Sequence, residues 1–307
     1  MSTPGDQINE ISVDALRQGD FHMIARAISM VENAKPGADE LLKRLGNGHT
    51  PVLGITGPPG AGKSTLVDAL IKQFSNEGKK LAVLCVDPSS SFHSGALLGD
   101  RIRMNRWYDN PLVYIRSLAN RGTLGGLNPR IFQITDLLAF SGFDYILIET
   151  VGVGQTEVDI TRLADLVLVV LVPESGDDIQ AMKSGILEIA DIFVVNKSDR
   201  PGANQFLASL KSSILYQTGK SQEELQFVPT IATEEKGIDV LYKTIQGNIH
   251  RHPAGHSLKQ ITAKAWELIC AYRMRDLSEN TLRACLDQEM KKPDFNLYQW
   301  AETFASK

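Results

Sequence analysis

Two short motifs carry the chemistry in this 307-residue chain. The first, Gly57-Pro58-Pro59-Gly60-Ala61-Gly62-Lys63-Ser64-Thr65, fits the phosphate-binding pattern G-x-x-x-x-G-K-S. The apolar run Pro51–Thr56 precedes it, and Leu66–Ile71, with helical spacing, follows. That is the strand, loop and helix setting the motif requires. Gly57, Gly60 and Gly62 let the backbone turn its N–H groups toward phosphates at the positive end of a helix. Lys63 would reach the β- and γ-phosphates, and the Ser64 hydroxyl would ligate Mg²⁺.

The second motif, Asn196-Lys197-Ser198-Asp199, follows the β-branched run Ala190–Val195, which reads as a buried parallel strand. It therefore stands at a strand's carboxyl end, where open α/β sheets bind ligands. The Asp199 carboxylate can accept from guanine N1–H and the 2-amino group. Adenine offers neither donor, and an unpaired carboxylate is costly, so the pair of motifs selects guanine.

Three polar segments lie between these motifs. The first runs from Asp87-Pro88-Ser89-Ser90-Ser91 to Gly99-Asp100-Arg101, and loops of this kind can reorder around a γ-phosphate and its Mg²⁺. Asp87 and Asp100 supply hard oxygen donors, although either aspartate could equally cap a turn. The second is Glu149-Thr150-Val151-Gly152-Val153-Gly154-Gln155. Glu149 ends an apolar strand, where an acid belongs only if it meets a cation, so it is assigned to the Mg²⁺ shell or a metal-bound water. The Gly152 N–H can approach the γ-phosphate. Val153 stands where Ras-type proteins carry a water-orienting glutamine, and Gln155 is two positions further on. Lys63, Asp100, Glu149 and Gln155 thus form the expected catalytic set, and the expected hydrolysis is slow without a partner that completes the site. The third segment, Pro173–Gln180 running into Lys183, is either a loop with Asp177 near a helix start or a further mobile element.

The elements that must position these residues can be read from periodicity. Strands are expected at Val52–Thr56, Leu81–Val86, Leu112–Ser117, Tyr145–Thr150, Leu166–Val172, Ile192–Asn196 and Phe227–Ile231, with helical patterns between them. The fold class is therefore α/β, a P-loop NTPase with a doubly wound, mostly parallel sheet and helical extensions at both ends. Residues 1–48 form the first extension, with helices at Ser12–Gln18, Phe21–Asn33 and Gly37–Leu45. Residues 49–252 form the nucleotide domain, and 253–307 a helical tail with Trp266, Leu268, Ile269 and Tyr272 on one stripe. The helical ends either cap the core or, for the tail, form a dimerisation arm.

Composition bounds the rest. At 43% hydrophobic and 22% charged, with a net charge of −4, the chain has an ordinary globular balance. No broad basic surface is implied, so nucleic acid and acidic membranes are not expected partners. Met1–Glu10 lacks the apolar core of a secretory leader, and the longest apolar run, Leu166–Val172, is too short to cross a bilayer. The three cysteines, Cys85, Cys270 and Cys285, form no CxxC pair. A cytoplasmic protein is expected.

Taken in order, GPPGAGKST, DPSSSFHSGALLGDRIRM, NRGTLGGL, ETVGVGQTE, PESGDDIQAMKSGI and NKSD resemble the MeaB/ArgK family, in the SIMIBI class of P-loop GTPases. The match runs from about Gly19 to Leu241. It implies a homodimeric GTPase chaperone, using GTP/GDP and Mg²⁺, that gates adenosylcobalamin loading of methylmalonyl-CoA mutase and protects that enzyme. By the resemblance, Gly57–Thr65 bind phosphates, Ser64, Asp87, Asp100 and Glu149 surround Mg²⁺, and Asn196, Lys197 and Asp199 hold guanine. Pro173–Gly185 corresponds to a third switch, with Asp177 and Lys183 facing the partner.

The chain departs from the pattern in two places. The family loop resembles PGAGDELQGIKKG, so Glu174, Ser175, Asp178, Ala181, Met182 and Ser184 differ, which touches partner coupling more than nucleotide binding. The base-supporting Ser-Ala loop is Ile231-Ala232-Thr233 here, so the Ala232 backbone remains to serve the guanine oxygen while the serine hydroxyl is missing. Two rival functions stay open, a GTP-dependent kinase of the transport-system type and a nickel-delivery GTPase. The first would transfer labelled γ-phosphate to an acceptor. The second would need exposed Cys or His ligands, for which His250, His252 and His256 are the histidine cluster.

Overall fold

A computed structural model describes residues 11–46, 48–87, 104–119, 127–150, 160–175, 189–218, 225–249, 258–275, 277–292 and 294–306. Among these, seven strands form one sheet: β1 (Val52–Thr56), β2 (Leu81–Asp87), β3 (Val113–Ala119), β4 (Tyr145–Glu149), β5 (Leu166–Leu171), β6 (Ile192–Val195) and β7 (Gln226–Pro229). Their order is β3-β2-β4-β1-β5-β6-β7, and every pairing is parallel. The expected doubly wound α/β class is therefore the observed one. Apolar β-branched runs buried on both faces suit a parallel sheet covered by helices.

The pleat sorts the strand residues between two cores. Leu53 and Ile55 of β1, with Leu147 of β4 and Leu168 and Val170 of β5, join α4 (Lys63–Asn76) and α7 (Ile238–Ile249). Val52, Ile146, Ile148, Val167 and Val169 point the other way. There they meet α1 (Val13–Arg17), α2 (Phe21–Glu32), α3 (Ala38–Arg44) and α5 (Ile131–Phe140), and Leu210 and Ile214 of α6 (Ala203–Thr218) join the same core. The three N-terminal helices thus complete one face of the sheet.

The entry into α2 follows from its residues. Asp20 caps the helix, accepting from His22 N at 2.8 Å and Met23 N at 3.0 Å. Ile24, Ala27, Ile28 and Val31, at helical spacing, are fully buried. Truncating a side chain such as Ile28 to alanine costs about 2–5 kcal/mol in a packed core.

The chain divides into two compact units, residues 1–256 and 257–307. The second consists of α8 (Leu258–Arg273), α9 (Glu279–Glu289) and α10 (Leu297–Ala305). Ser278 caps α9 through Thr281 N at 3.0 Å, and Asn296 caps α10 through Tyr298 N and Gln299 N at 3.0 and 3.1 Å. The expected stripe on α8 leaves Trp266 and Ile269 exposed. Among the described residues no helix is long and apolar enough to cross a membrane.

Candidate nucleotide site

The first motif forms the connection from β1 to α4. Gly57 has φ of 140°, and a Cβ there would lie 2.1 Å from Val170 O, so the loop can leave β1 only where no side chain meets β5. Gly62, at φ 87°, takes the position before α4, and a Cβ on it would come within 2.5 Å of Asn196 Nδ2. The helix behind it therefore begins at Lys63 with its N-terminus toward the loop. Lys63 is buried at 6% exposure, and its ammonium donates to Gly57 O at 2.9 Å and Pro58 O at 3.0 Å. Among the other loop residues Pro58 and Ala61 are buried, whereas Pro59, Gly60 and Thr65 are exposed.

Glu149 ends β4, 5% exposed, on the same side of the pleat as Leu147 and hence facing α4. Its Oε1 accepts from Ser64 Oγ at 2.6 Å. Next to it Thr150 Oγ1 donates to Thr56 Oγ1 at 2.9 Å, joining the ends of β4 and β1. Asp87 is the last residue of β2, two beyond Cys85, whose Cα is in register with Glu149. Asp100, Gly152, Gln155, Asp177 and Lys183 lie outside the described residues.

The donor chemistry at this point fits a divalent cation. A hydroxyl and a buried carboxylate, both hard oxygen donors, already converge between the P-loop helix and β4. Among the described residues no group of three or more His, Cys, Asp and Glu stands together in a way that would hold a metal.

The guanine motif is braced by its first residue. Asn196, 2% exposed, donates through Nδ2 to Ala61 O at 3.0 Å. Its Oδ1 accepts from Thr230 Oγ1 at 3.2 Å and Ala232 N at 3.1 Å. Lys197 adopts φ of 54° and donates to Gly60 O at 2.8 Å, so two consecutive residues grip the phosphate loop. Asp199 is exposed at the end of this turn. The Glu234 carboxylate, and after it Asp199, raise the affinity of the Lys236 ammonium for its proton.

The Ala232 N–H, expected to be available to a guanine oxygen, is engaged by Asn196 in this structure, whereas Ile231 donates its own N–H to Lys236 O at 3.0 Å. Thr233 lies in the short turn Ala232–Glu234.

Three contributions have no motif behind them. Thr230 supplies a hydroxyl to Asn196 one residue before the Ile231-Ala232-Thr233 loop. Asp68, four residues beyond Ser64 on α4, accepts from Arg106 Nε at 3.0 Å and Trp107 Nε1 at 2.6 Å, tying the segment before β3 to α4. Arg200 Nη1 donates to Glu174 Oε1, and this bond holds the Glu174 carboxyl below its usual range. The hydrogen-bonding residue types alone could have suggested Thr230. The two ion pairs join residues too distant in sequence to be paired by pattern.

The family model described as methylmalonyl-CoA mutase-associated GTPase MeaB matches residues 24–284. The chain belongs to the MeaB family. It is 36% identical over 244 residues to the GTPase ArgK of Escherichia coli (strain K12), covering 76% of this chain and 74% of that protein. It is also 36% identical over 259 residues to a fused isobutyryl-CoA mutase of Geobacillus kaustophilus (strain HTA426), covering 78% of this chain and 24% of the fused protein. Among solved structures, that of a LAO/AO transport system kinase superposes with a TM-score of 0.67 at 25% identity, covering 99% of both chains. The MeaB-type chain is accordingly a GTPase that binds guanine nucleotide, with a family link to acyl-CoA mutases.

Proposed function

We propose that this MeaB-family GTPase is a nucleotide-driven chaperone that gates adenosylcobalamin loading of methylmalonyl-CoA mutase and protects that enzyme from inactivation. The observation that carries the reading is the relative in which a homologous GTPase segment and an isobutyryl-CoA mutase share one polypeptide. Covalent fusion gives two activities a high effective concentration, which benefits them only if they act on each other.

The residues suit a GTP switch. An arriving triphosphate offers Lys63 a charged acceptor in place of the Gly57 and Pro58 carbonyls, and the Gly57–Thr65 backbone would cradle its oxygens. Ser64, Glu149, Asp87 and Asp100 would hold Mg²⁺, which neutralises developing phosphate charge when bound. Gly152 would donate to the γ-phosphate, and Gln155 would stand near the attacking water. Asp199 would read guanine while Asn196 and Lys197 keep its turn against the phosphate loop. Hydrolysis by the isolated chain is slow in this reading, and the segment carrying Asp177 and Lys183 relays the nucleotide state to the mutase. The chain acts as a homodimer in the cytoplasm, with the helical tail as its dimerisation arm.

The test is GTP turnover by the full chain with and without a purified adenosylcobalamin-dependent methylmalonyl-CoA mutase, alongside pull-down in the GDP and GTP-analogue states. Stimulated turnover and state-dependent binding are expected. Absence of binding in every nucleotide state overturns the proposal. Transfer of labelled γ-phosphate to an acceptor, rather than its release, would instead support the kinase activity for which the structural relative is named.

A further inference from the structure

Two loops of the site are tied together by a contact outside the nucleotide motifs. Glu174 sits in the short turn Pro173–Ser175 that follows β5, and Arg200 ends the turn that begins at Lys197 after β6. Because β5 and β6 are parallel neighbours, with Leu171 registered to Val195, both loops leave the sheet side by side at its carboxyl edge. There Arg200 Nη1 donates to Glu174 Oε1, with the two side chains 43% and 50% exposed.

The two partners are held differently. Arg200 N donates to Lys197 O at 3.1 Å, and Arg200 O accepts from Ala203 N at 3.2 Å, so the arginine is built into the start of α6. Its turn is the guanine-recognition turn, which reaches the phosphate loop through Lys197 Nζ on Gly60 O at 2.8 Å. A pull on Arg200 is therefore a pull on Lys197 and on the residues beside Asp199. Glu174 belongs to the short turn Pro173–Ser175 that follows β5, and its carboxylate is held by Arg200. The pair thus joins the turn after β5 to the guanine-recognition turn.

We propose that Glu174 and Arg200 form an electrostatic latch through which the turn Pro173–Ser175 sets how long the guanine-recognition turn retains its nucleotide. Closed, the latch holds the Lys197–Arg200 turn against the sheet. Opened by a charged group that competes for either side chain, it frees that turn and speeds nucleotide release. Both residues are positioning residues in this proposal, acting on the nucleotide through the Lys197–Arg200 turn. The inference rests on guanine-nucleotide binding by the family and is independent of the mutase partnership, so failure of either leaves the other standing.

The experiment is release of a fluorescent GDP analogue from the full chain, by stopped-flow at neutral pH, for the parent, Glu174→Gln, Arg200→Gln, the double variant and the swap E174R/R200E. Each single variant should release the analogue about two- to fivefold faster, the range a half-exposed ion pair supports. The double variant should be no faster than either single one, and the swap should return toward the parent rate. Raising salt to about 1 M, where the screening length is about 3 Å, should speed release from the parent but not from Glu174→Gln. Thermal midpoints should stay within the spread usual for surface substitutions, separating a latch from general loosening. Unchanged release in the single variants, effects that add in the double variant, or a swap that fails to restore the rate would each overturn the proposal.

Discussion

The Ser64 hydroxyl donates to Glu149 Oε1 across 2.6 Å, joining the first turn of α4 to the end of β4. These are two of the oxygens assigned to Mg²⁺, and they meet because Glu149 takes the α4 side of the pleat. Glu149→Gln keeps an oxygen for Ser64 and removes the charge that would attract the ion. We expect the Mg²⁺ concentration for half-maximal GTP turnover to rise about 10- to 100-fold. The fold should persist, because the amide fills the same volume. Turnover against Mg²⁺ concentration, with circular dichroism as the control, checks this; an unshifted midpoint would remove Glu149 from the metal's surroundings.

Asp199 and Asn196 belong to one motif yet should fail in different ways when changed. Asp199 is exposed and offers its carboxylate outward, so Asp199→Asn should leave unfolding free energy within about 0.5 kcal/mol of the parent. Its effect should appear in base choice. An amide presents a donor where xanthine has its 2-oxygen, whereas guanine has an amino group there. GTP affinity should fall by at least about 100-fold, as expected when charged hydrogen bonds are lost, and XTP affinity should rise. Competition between the two nucleotides against a fluorescent GTP analogue reads both changes at once.

Asn196 is buried and spans three loops, from Ala61 O to Thr230 Oγ1 and Ala232 N. Asn196→Ala strands those partners, and an unsatisfied buried polar group costs about 1–3 kcal/mol. We expect a loss of about 2–4 kcal/mol in unfolding free energy, because local shifts recover part of the sum, together with weaker binding of every guanine nucleotide. Urea unfolding and nucleotide titration on the same preparation test the pairing of effects. A variant that loses affinity at full stability would mean that Asn196 acts on the base alone.

The two motifs and the strands behind them were legible because they are local. Glycines at fixed offsets and β-branched apolar runs declare a strand-loop-helix without reference to anything distant, and the observed strands match those expected to within two residues at their ends. The buried face of α2 followed equally from the spacing of Ile24, Ala27, Ile28 and Val31. What periodicity could not supply was which side chains meet across the fold. Asn196 reaches a carbonyl 135 residues away, Arg106 and Trp107 share Asp68, and Arg200 finds Glu174. These pairings depend on the order β3-β2-β4-β1-β5-β6, which no single segment encodes. The Ala232 N–H to Asn196 Oδ1 bond is another contact of this kind, visible only in the tertiary structure.

That α2 belongs to the core can be tested through its last residue. Glu32 accepts from Arg116 Nη2 of β3 at 2.9 Å, with Ser29 Oγ taking a further bond at 3.2 Å, and the Glu32 and Arg116 side chains are only 10% and 21% exposed. Removing one partner from such a site strands a charge that water reaches poorly. Glu32→Ala should therefore cost about 3 kcal/mol, the low end for buried pairs because Arg116 retains some solvent access. The thermal midpoint should fall by roughly 6–12 °C if the domain unfolds as one unit. Replacing both residues with leucine or methionine should recover most of that loss, since the penalty comes from the uncompensated charge rather than from the missing bond. Calorimetry on the parent, the single variant and the double variant decides the matter. If Glu32→Ala melts a separate low-temperature transition and leaves the main one unmoved, the N-terminal helices are an appendage to the nucleotide domain and not part of its core.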